Sequence, residues 1–223
     1  MFTVPRCCGR GTCAILIASL MNILIVTDTF APDLNGVART LETLSRGLAA
    51  RGHQVEVVTT TDASWTDLAL AGVNVRRVRS LRVPGYREVR AGLVTPRWFR
   101  NVIDLFKPDV MYVAVETLMG LSAVRAARQK QVPVVSGFHT NFHSYADHYR
   151  VPFMKSIATR FMRWFHNRTV RTLAPSRDTV EQLQALGVTN AAVLGRGVTL
   201  NCSHPRDVIR HCARSGARTT RRR

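Results

Sequence analysis

The chain has 223 residues, 46% of them hydrophobic, a composition typical of a globular domain that excludes wholesale disorder. Its 32 basic residues outnumber 14 acidic ones, and the net charge of +18 favours anionic partners such as phosphorylated substrates or a membrane surface. We expect no nucleic-acid partner, because no recognised nucleic-acid-binding motif accompanies the charge. The five cysteines lie in the outer segments without a disulfide or zinc pattern, which indicates a reducing, cytoplasmic compartment.

The apolar run over residues 13–26 allows three interpretations. After Arg6 and Arg10 it has the form of a signal peptide. A short membrane anchor is the second, although the run is shorter than the ~18–20 residues that span a bilayer. The third, which we favour, is a buried parallel strand Ile23–Thr27, because such strands are apolar along their length. Translation would then start at Met21. Residues 1–20 are then an upstream extension outside the fold.

From Met21 onward, strand and helix signals alternate along the chain. The predicted strands are Ile23–Thr27, Val55–Thr59, Val73–Val78, Val110–Val115, Val132–Gly137, Thr172–Ala174 and Ala192–Leu194. The predicted helices are Gly36–Ala50, Pro96–Phe106, Leu118–Gln131, Phe153–Thr169 and one that starts after the N-cap Ser176 and ends at Leu186-Gly187. This alternation predicts an α/β fold: a single Rossmann-like, doubly wound domain over 21–198 with a mainly parallel sheet. Residues 199–223 have no amphipathic period, and we expect an irregular, arginine-rich tail.

The loop after the first strand is the first candidate site. It leaves the carboxyl end of a parallel strand and enters a helix at Asn35-Gly36. Ligands of open α/β sheets bind at that edge, and the free N–H groups of a helix N-terminus favour a phosphate. The alternative is a glycine that only eases a strand-to-helix turn. Neither GxGxxG nor a P-loop pattern is present, so a dinucleotide or P-loop site has little support.

A histidine-rich segment follows the strand Val132–Gly137 and is the second candidate site. His139 stands directly at the strand end, which suits a ligand-binding or acid–base role. For His143 and His148, a structural role is the simpler interpretation. His139 and His143 are four residues apart as in a zinc helix, but no HExxH glutamate is present, and we expect no metal.

The segment Met154–Arg171 is basic and carries aromatic residues. A helix of this kind can lie in a membrane interface. The simpler interpretation, which we favour, is a surface helix whose apolar stripe faces the sheet.

Taken together, the motifs resemble family 4 of the retaining glycosyltransferases. The matching segments, which cover nearly all of 21–198, are Met21–Val37, Leu48–Val57, Lys107-Pro-Asp109-Val, Gly137-Phe-His139-Thr140-Asn141-Phe, Ala174-Pro-Ser176 and Gly195-Arg196-Gly197-Val198. The His-Thr-Asn segment with Tyr145 and Tyr149 is closest to the α-mannosyltransferase and sulfolipid-synthase-like branch.

The resemblance implies one half of a GT-B architecture, whose N-terminal domain mainly binds the acceptor and whose C-terminal domain binds the nucleotide sugar. It implies transfer of a hexose such as mannose, with retention, from a GDP- or UDP-sugar to a lipid or glycan acceptor, without metal or other cofactor and with peripheral attachment to the inner face of the membrane. His139 is implied as the catalytic residue that contacts the sugar. The implied substrate-binding residues are Asn35 and Gly36 near the donor's distal phosphate, Glu116 for the acceptor, Thr140 and Arg196.

The chain departs from the family pattern after Val198. The family continues with aspartate and then phenylalanine, whereas this sequence reads Thr199-Leu-Asn-Cys202, and no donor domain with an E-x7-E segment follows. We therefore expect half an enzyme that is inactive alone. The alternative is a non-catalytic α/β module that binds anionic membranes or a partner.

Overall fold

The computed structural model describes residues 19–61, 70–82, 90–139 and 152–195. The strands in these ranges are β1 (Asn22–Val26), β2 (Gln54–Thr60), β3 (Val73–Val78), β4 (Ser80–Arg82), β5 (Arg90–Gly92), β6 (Val110–Val113), β7 (Val134–Gly137), β8 (Arg171–Ala174) and β9 (Ala191–Val193). The helices are α1 (Gly36–Ala49), α2 (Pro96–Phe106), α3 (Leu118–Gln129), α4 (Pro152–His166) and α5 (Arg177–Ala185).

Seven strands form one parallel sheet in the order β3-β2-β1-β6-β7-β8-β9. The chain runs from β1 outward to β3 on one side, and later strands start on the other side of β1 with β6. The strand order therefore reverses between β1 and β6, where Ile23 pairs with Val110. In open α/β sheets, ligands bind outside the carboxyl ends of the strands at such a switch point.

Both faces of the sheet are covered by helices, as expected for buried parallel strands. On one face, Leu24 and Val26 pack with Phe99 of α2, Ala123 of α3 and Phe165 of α4. On the other face, residues of β1 and β2 pack against α1 and against the loop after β1. The buried members of this second cluster include Ile23, Ile25, Phe30, Leu41, Val55 and Val57.

The helix ends follow from local capping. Thr95 and Ser176 accept hydrogen bonds from the amides of Trp98 and Thr179, which starts α2 and α5. Pro96 occupies the first turn of α2, where a missing N–H costs nothing. The predicted α/β class, the parallel sheet and the N-cap Ser176 are thus confirmed.

The short ribbon of β4 and β5 was not predicted. Its two three-residue strands pair antiparallel, Ser80 with Gly92 and Leu81 with Ala91, outside the main sheet. Strands this short show no alternation that a sequence pattern can detect.

Candidate functional site

The carboxyl ends of β1, β6 and β7 form the candidate site. These three strands are neighbours in the sheet, and the residues that follow them carry three of the predicted groups. Gly36 starts α1 after the loop that follows β1, Glu116 follows β6, and His139 follows β7. The parallel topology therefore places all three at one edge of the sheet, as predicted.

The loop after β1 is held by its own hydrogen bonds. Asn35 is the N-cap of α1, and its side-chain oxygen accepts from the Ala38 amide at 2.9 Å. Its amide group donates to the Thr29 hydroxyl at 2.6 Å, and that hydroxyl donates to Asp33 Oδ2 at 2.8 Å. The loop thus presents the first turn of α1 in a fixed orientation. An added Cβ at Gly36 would meet no atom within 4 Å, so this backbone is open to a ligand.

His139 turns back over the end of its own strand. Its Nε2 lies 2.9 Å from the hydroxyl of Tyr112, a buried residue of β6. The two rings meet edge to face with centroids 6.4 Å apart. Gly137 makes this arrangement possible, because a Cβ there would lie against the Tyr112 hydroxyl and 2.7 Å from His139 Nε2.

A cavity of about 310 Å³ opens beside the Tyr112–His139 pair. Its walls are mostly apolar and come from α1, from Tyr112 and His139, and from the ends of β8 and β9. Thr40, one helical turn after Gly36, lines the same cavity as His139. The structure therefore brings His139 and the part of α1 from Thr40 onward to one concave surface.

Glu116 is held by α4, which covers the face of the sheet opposite α1. Its Oε1 lies 3.1 Å from Nε2 of His166, which is fully buried at the end of α4. The Glu116 side chain retains 17% exposure. Sequence reasoning missed His166, because the two residues are 50 positions apart and no local pattern links them.

Asp28 is a buried carboxylate beneath the same edge. Its Oδ1 accepts from the Gly92 amide at 3.1 Å, which ties β5 to the end of β1. Desolvation by burial raises the pKa of Asp28 from 3.8 to about 6, against smaller lowering effects of the Thr117 hydroxyl and the Gly92 amide. Within the described part of the chain, Asp28 Oδ2 and Thr117 Oγ1 are both buried, and neither has a hydrogen-bond partner of regular geometry.

Several predicted groups lie outside the described residues. Thr140, Arg196, His143 and His148 belong to this set, as do the predicted extension up to residue 18 and the tail from 199. Across 19–61, 70–82, 90–139 and 152–195, no three His, Cys, Asp or Glu side chains cluster as a metal site requires. No helix in those ranges is long and apolar enough to cross a membrane.

Comparison with known proteins supplies an independent result. Residues 34–201 match the family model described as Glycosyltransferase Family 4. The chain is 33% identical over 183 residues to a GDP-mannose-dependent alpha-mannosyltransferase of Mycolicibacterium smegmatis, covering 81% of this chain and 48% of the relative. It is 29% identical over 132 residues to an alpha-monoglucosyldiacylglycerol synthase of Streptococcus pneumoniae, covering 58% of this chain and 29% of the relative.

Among solved structures, sucrose-phosphate synthase from Thermosynechococcus elongatus is similar with a TM-score of 0.53 at 10% identity. The alignment covers 79% of this chain and 48% of that one, and it shows the fold alone. The chain thus spans about half the length of the mannosyltransferase it matches.

Proposed function

The chain belongs to Glycosyltransferase Family 4, and from this we propose that residues 21–198 form the acceptor-side domain of a GT-B glycosyltransferase. The enzyme would move a hexose from a nucleotide sugar to a lipid or glycan acceptor with retention, and a second domain would bind the nucleotide. The observation that carries the proposal is the position of His139 at the end of β7, where it lines one cavity together with Thr40 and later residues of α1.

The donor side of the proposal uses α1 and His139. The first turn of α1 directs free N–H groups at the edge of the sheet, where they can bind the donor's distal phosphate. Gly36 supports this role, since its backbone has open space in front of it. His139 would contact the sugar and stabilise charge at the reacting centre, as preorganised dipoles do in other transferases. GDP-mannose is the first donor to test, because it stands in the name of the 33% identical relative.

The acceptor side uses Glu116, with Thr140 and Arg196 as further substrate-binding residues. A carboxylate that retains 17% exposure after the carboxyl end of β6 can accept a hydrogen bond from an acceptor hydroxyl. The apolar walls of the cavity beside His139 favour an acceptor with an apolar part, and a diacylglycerol derivative is a reasonable first class because of the name of the second relative.

We expect His139→Ala to abolish transfer. A chimera joins residues 21–195 to the second half of the M. smegmatis relative, and GDP release from GDP-mannose is measured with and without a lipid extract. Loss of a group that stabilises developing charge should lower acceptor-dependent release about 100-fold or more.

The matched control for this experiment is His53→Ala. His53 is half-buried at the opposite, amino edge of the sheet, where its Nδ1 accepts from the Met21 amide. This variant should keep the rate within about twofold, because His53 lies at the edge of the sheet opposite the site. Acceptor-dependent release that is equal in the two variants would remove His139 from the mechanism.

A second function, contact with an anionic membrane, is supported by the outer surface of α4. Phe165 is buried in the core, but Ile157 and Trp164 on the same helix are 52% and 37% exposed. The guanidinium of Arg168 lies 4.1 Å from the centre of the Trp164 ring, and Arg160 and Arg163 are exposed beside it. Exposed aromatic groups among arginines are typical of helices that lie on anionic lipid.

We expect the double variant Arg160→Glu with Arg163→Glu to lose vesicle binding. Wild type should sediment with phosphatidylglycerol-containing vesicles at low salt and be released as salt rises, because exposed charges are screened. With four units of charge removed from α4, binding should fall about tenfold or more.

The control is the double variant Arg39→Glu with Arg46→Glu on α1, which changes the net charge equally on the other face of the sheet. If both double variants lose binding to the same extent, the attraction belongs to the overall charge and α4 is not a membrane surface.

A further inference from the structure

A chain of buried polar groups connects Glu116 to the interior of the domain. His166 is fully buried and uses both ring nitrogens, Nε2 toward Glu116 Oε1 at 3.1 Å and Nδ1 toward Ser136 Oγ at 2.9 Å. Ser136 is also fully buried and lies 2.9 Å from the Thr169 hydroxyl and 3.1 Å from the Thr172 hydroxyl. The positions of the protons in this network follow from its fixed members.

The amide of Asn190 fixes the first proton. Its Nδ2 donates to the carbonyl oxygens of His166 at 3.0 Å and Thr169 at 2.6 Å. The flipped amide would place its oxygen against those two carbonyls, so the orientation is determined by the network. Asn190 Oδ1 therefore faces Thr172 Oγ1 at 3.1 Å, and the Thr172 hydroxyl must donate to it.

The Thr169 hydroxyl proton is committed as well. Thr169 Oγ1 lies 2.7 Å from the His166 carbonyl oxygen, which can only accept. With both threonine protons in use, the short contacts of Ser136 with the threonines need the Ser136 proton, so Ser136 accepts from His166. Two longer contacts, Ser136 Oγ to the Arg171 carbonyl at 3.5 Å and Thr172 Oγ1 to His166 Nδ1 at 3.4 Å, are weaker than these. If instead Ser136 donated to His166 Nδ1, both short contacts between Ser136 and the threonines would lack a proton. The network therefore places a proton on His166 Nδ1.

The Glu116 side of His166 then needs a proton of its own. With Nδ1 protonated, a bare Nε2 would direct its lone pair at a carboxylate oxygen 3.1 Å away, which is repulsive. One proton must lie between Nε2 and Oε1, and it belongs on Nε2 because imidazole is a stronger base than a carboxylate. The Glu116–His166 pair as a whole therefore carries no net charge.

We propose that His166 is a positioning residue that holds Glu116 at the carboxyl edge of the sheet and neutralises it. The functional part rests on the proposed transferase: a neutralised Glu116 can bind an acceptor hydroxyl without repelling the donor's diphosphate. The structural part, the two protons on the ring of His166, concerns this chain alone.

The test of the structural part is nitrogen-15 NMR of the histidine rings in the 223-residue chain, with His166→Gln used to assign the signals. We expect both nitrogens of His166 to carry protons in wild type. In Glu116→Gln, Nδ1 should stay protonated while Nε2 becomes an acceptor for the glutamine amide. A neutral ring with its proton only on Nε2 in wild type would overturn the proton assignment.

The functional part is tested in the chimera through the acceptor KM. Glu116→Gln and His166→Gln should each raise the acceptor KM about tenfold, the cost of a lost hydrogen bond to a charged group, and leave the donor KM unchanged. An acceptor KM that rises in Glu116→Gln but not in His166→Gln overturns the positioning role. No change in either variant, with the NMR result as expected, refutes the acceptor role of Glu116 and leaves the buried network standing.

Discussion

Replacing Asp28 by asparagine should stabilise the folded chain at neutral pH. The pKa of Asp28 is about 6 in the folded state and near 3.8 when the side chain is solvated, since burial disfavours the charged form. As the pH rises from about 4 to 6, the unfolded state loses its proton first, so the free energy of unfolding falls. The loss levels off about one pH unit above the folded pKa and amounts to about 3 kcal/mol.

Asparagine keeps the favourable contacts of this position without the charge. Its oxygen can accept from the Gly92 amide, as Asp28 Oδ1 does at 3.1 Å, and its NH2 group can donate toward the buried Thr117 hydroxyl. Urea denaturation should therefore show Asp28→Asn more stable than wild type by up to about 3 kcal/mol at pH 7.5, and the difference should shrink toward zero at pH 4.

The matched control for Asp28 is Asp104→Asn, which removes an exposed carboxylate paired with Lys130. Surface ion pairs contribute about 1 kcal/mol or less, so this variant should be neutral or slightly destabilised at pH 7.5. If Asp28→Asn shows the same stability relative to wild type at both pH values, the carboxylate does not titrate differently in the folded and unfolded chain, and the account of its burial is wrong.

The main sheet was predictable because its signals are local. Apolar runs of four to seven residues, separated by helical spacing, identify strands without knowledge of their neighbours. The bounds of β3 and α2 agree with the structure residue for residue, and the family resemblance drawn from the motifs is confirmed by the match over residues 34–201.

Some boundaries differ for reasons that only the folded chain reveals. The strand predicted from Val132 begins at Val134, because the Val132 amide donates to the Ala127 carbonyl at the end of α3 and Pro133 has no N–H. The helix predicted to reach Thr169 ends at His166, where the chain turns and the Thr169 amide donates to the His166 carbonyl.

The edge that carries the site was predictable, but its side-chain pairs were not. Parallel topology alone places the residues after β1, β6 and β7 together. The partners that orient them come from distant positions: Tyr112 is 27 residues from His139, and His166 is 50 from Glu116. The two pairs also lie on opposite faces of the sheet, the first on the face covered by α1 and the second on the face covered by α4. The spacing of residues in the sequence does not show this. The roles of Asn35, Gly36, Glu116 and His139 in binding stay predictions.

Two glycines at this edge should respond to alanine in opposite ways, and Gly137 is the sensitive one. Its backbone is held against β8, because Gly137 pairs with Leu173 and the next amide, that of Phe138, donates to the Leu173 carbonyl. A new Cβ there would lie 2.7 Å from His139 Nε2 and 2.8 Å from Tyr112 Cζ. Gly137→Ala should therefore lower the free energy of unfolding by about 2–3 kcal/mol, the usual cost of overpacking, and should break the Tyr112–His139 contact.

Gly36→Ala is the comparison that distinguishes an effect on stability from an effect on ligand binding. The added Cβ meets nothing within 4 Å, and alanine suits the first turn of a helix, so stability should be unchanged or slightly higher. In the chimera this variant should raise the KM for GDP-mannose, since a methyl group then occupies the approach of the phosphate to the backbone.

A double variant identifies the atom responsible at Gly137. Tyr112→Phe removes the hydroxyl that the new Cβ meets first, so Gly137→Ala should cost less in the Tyr112→Phe background than in wild type. The recovery of stability would be incomplete, because Cζ of the residue 112 ring stays in place. If Gly137→Ala is as stable as wild type and the ring signals of His139 do not move, the strand end is free to adjust. The glycine would then not be what sets the position of His139.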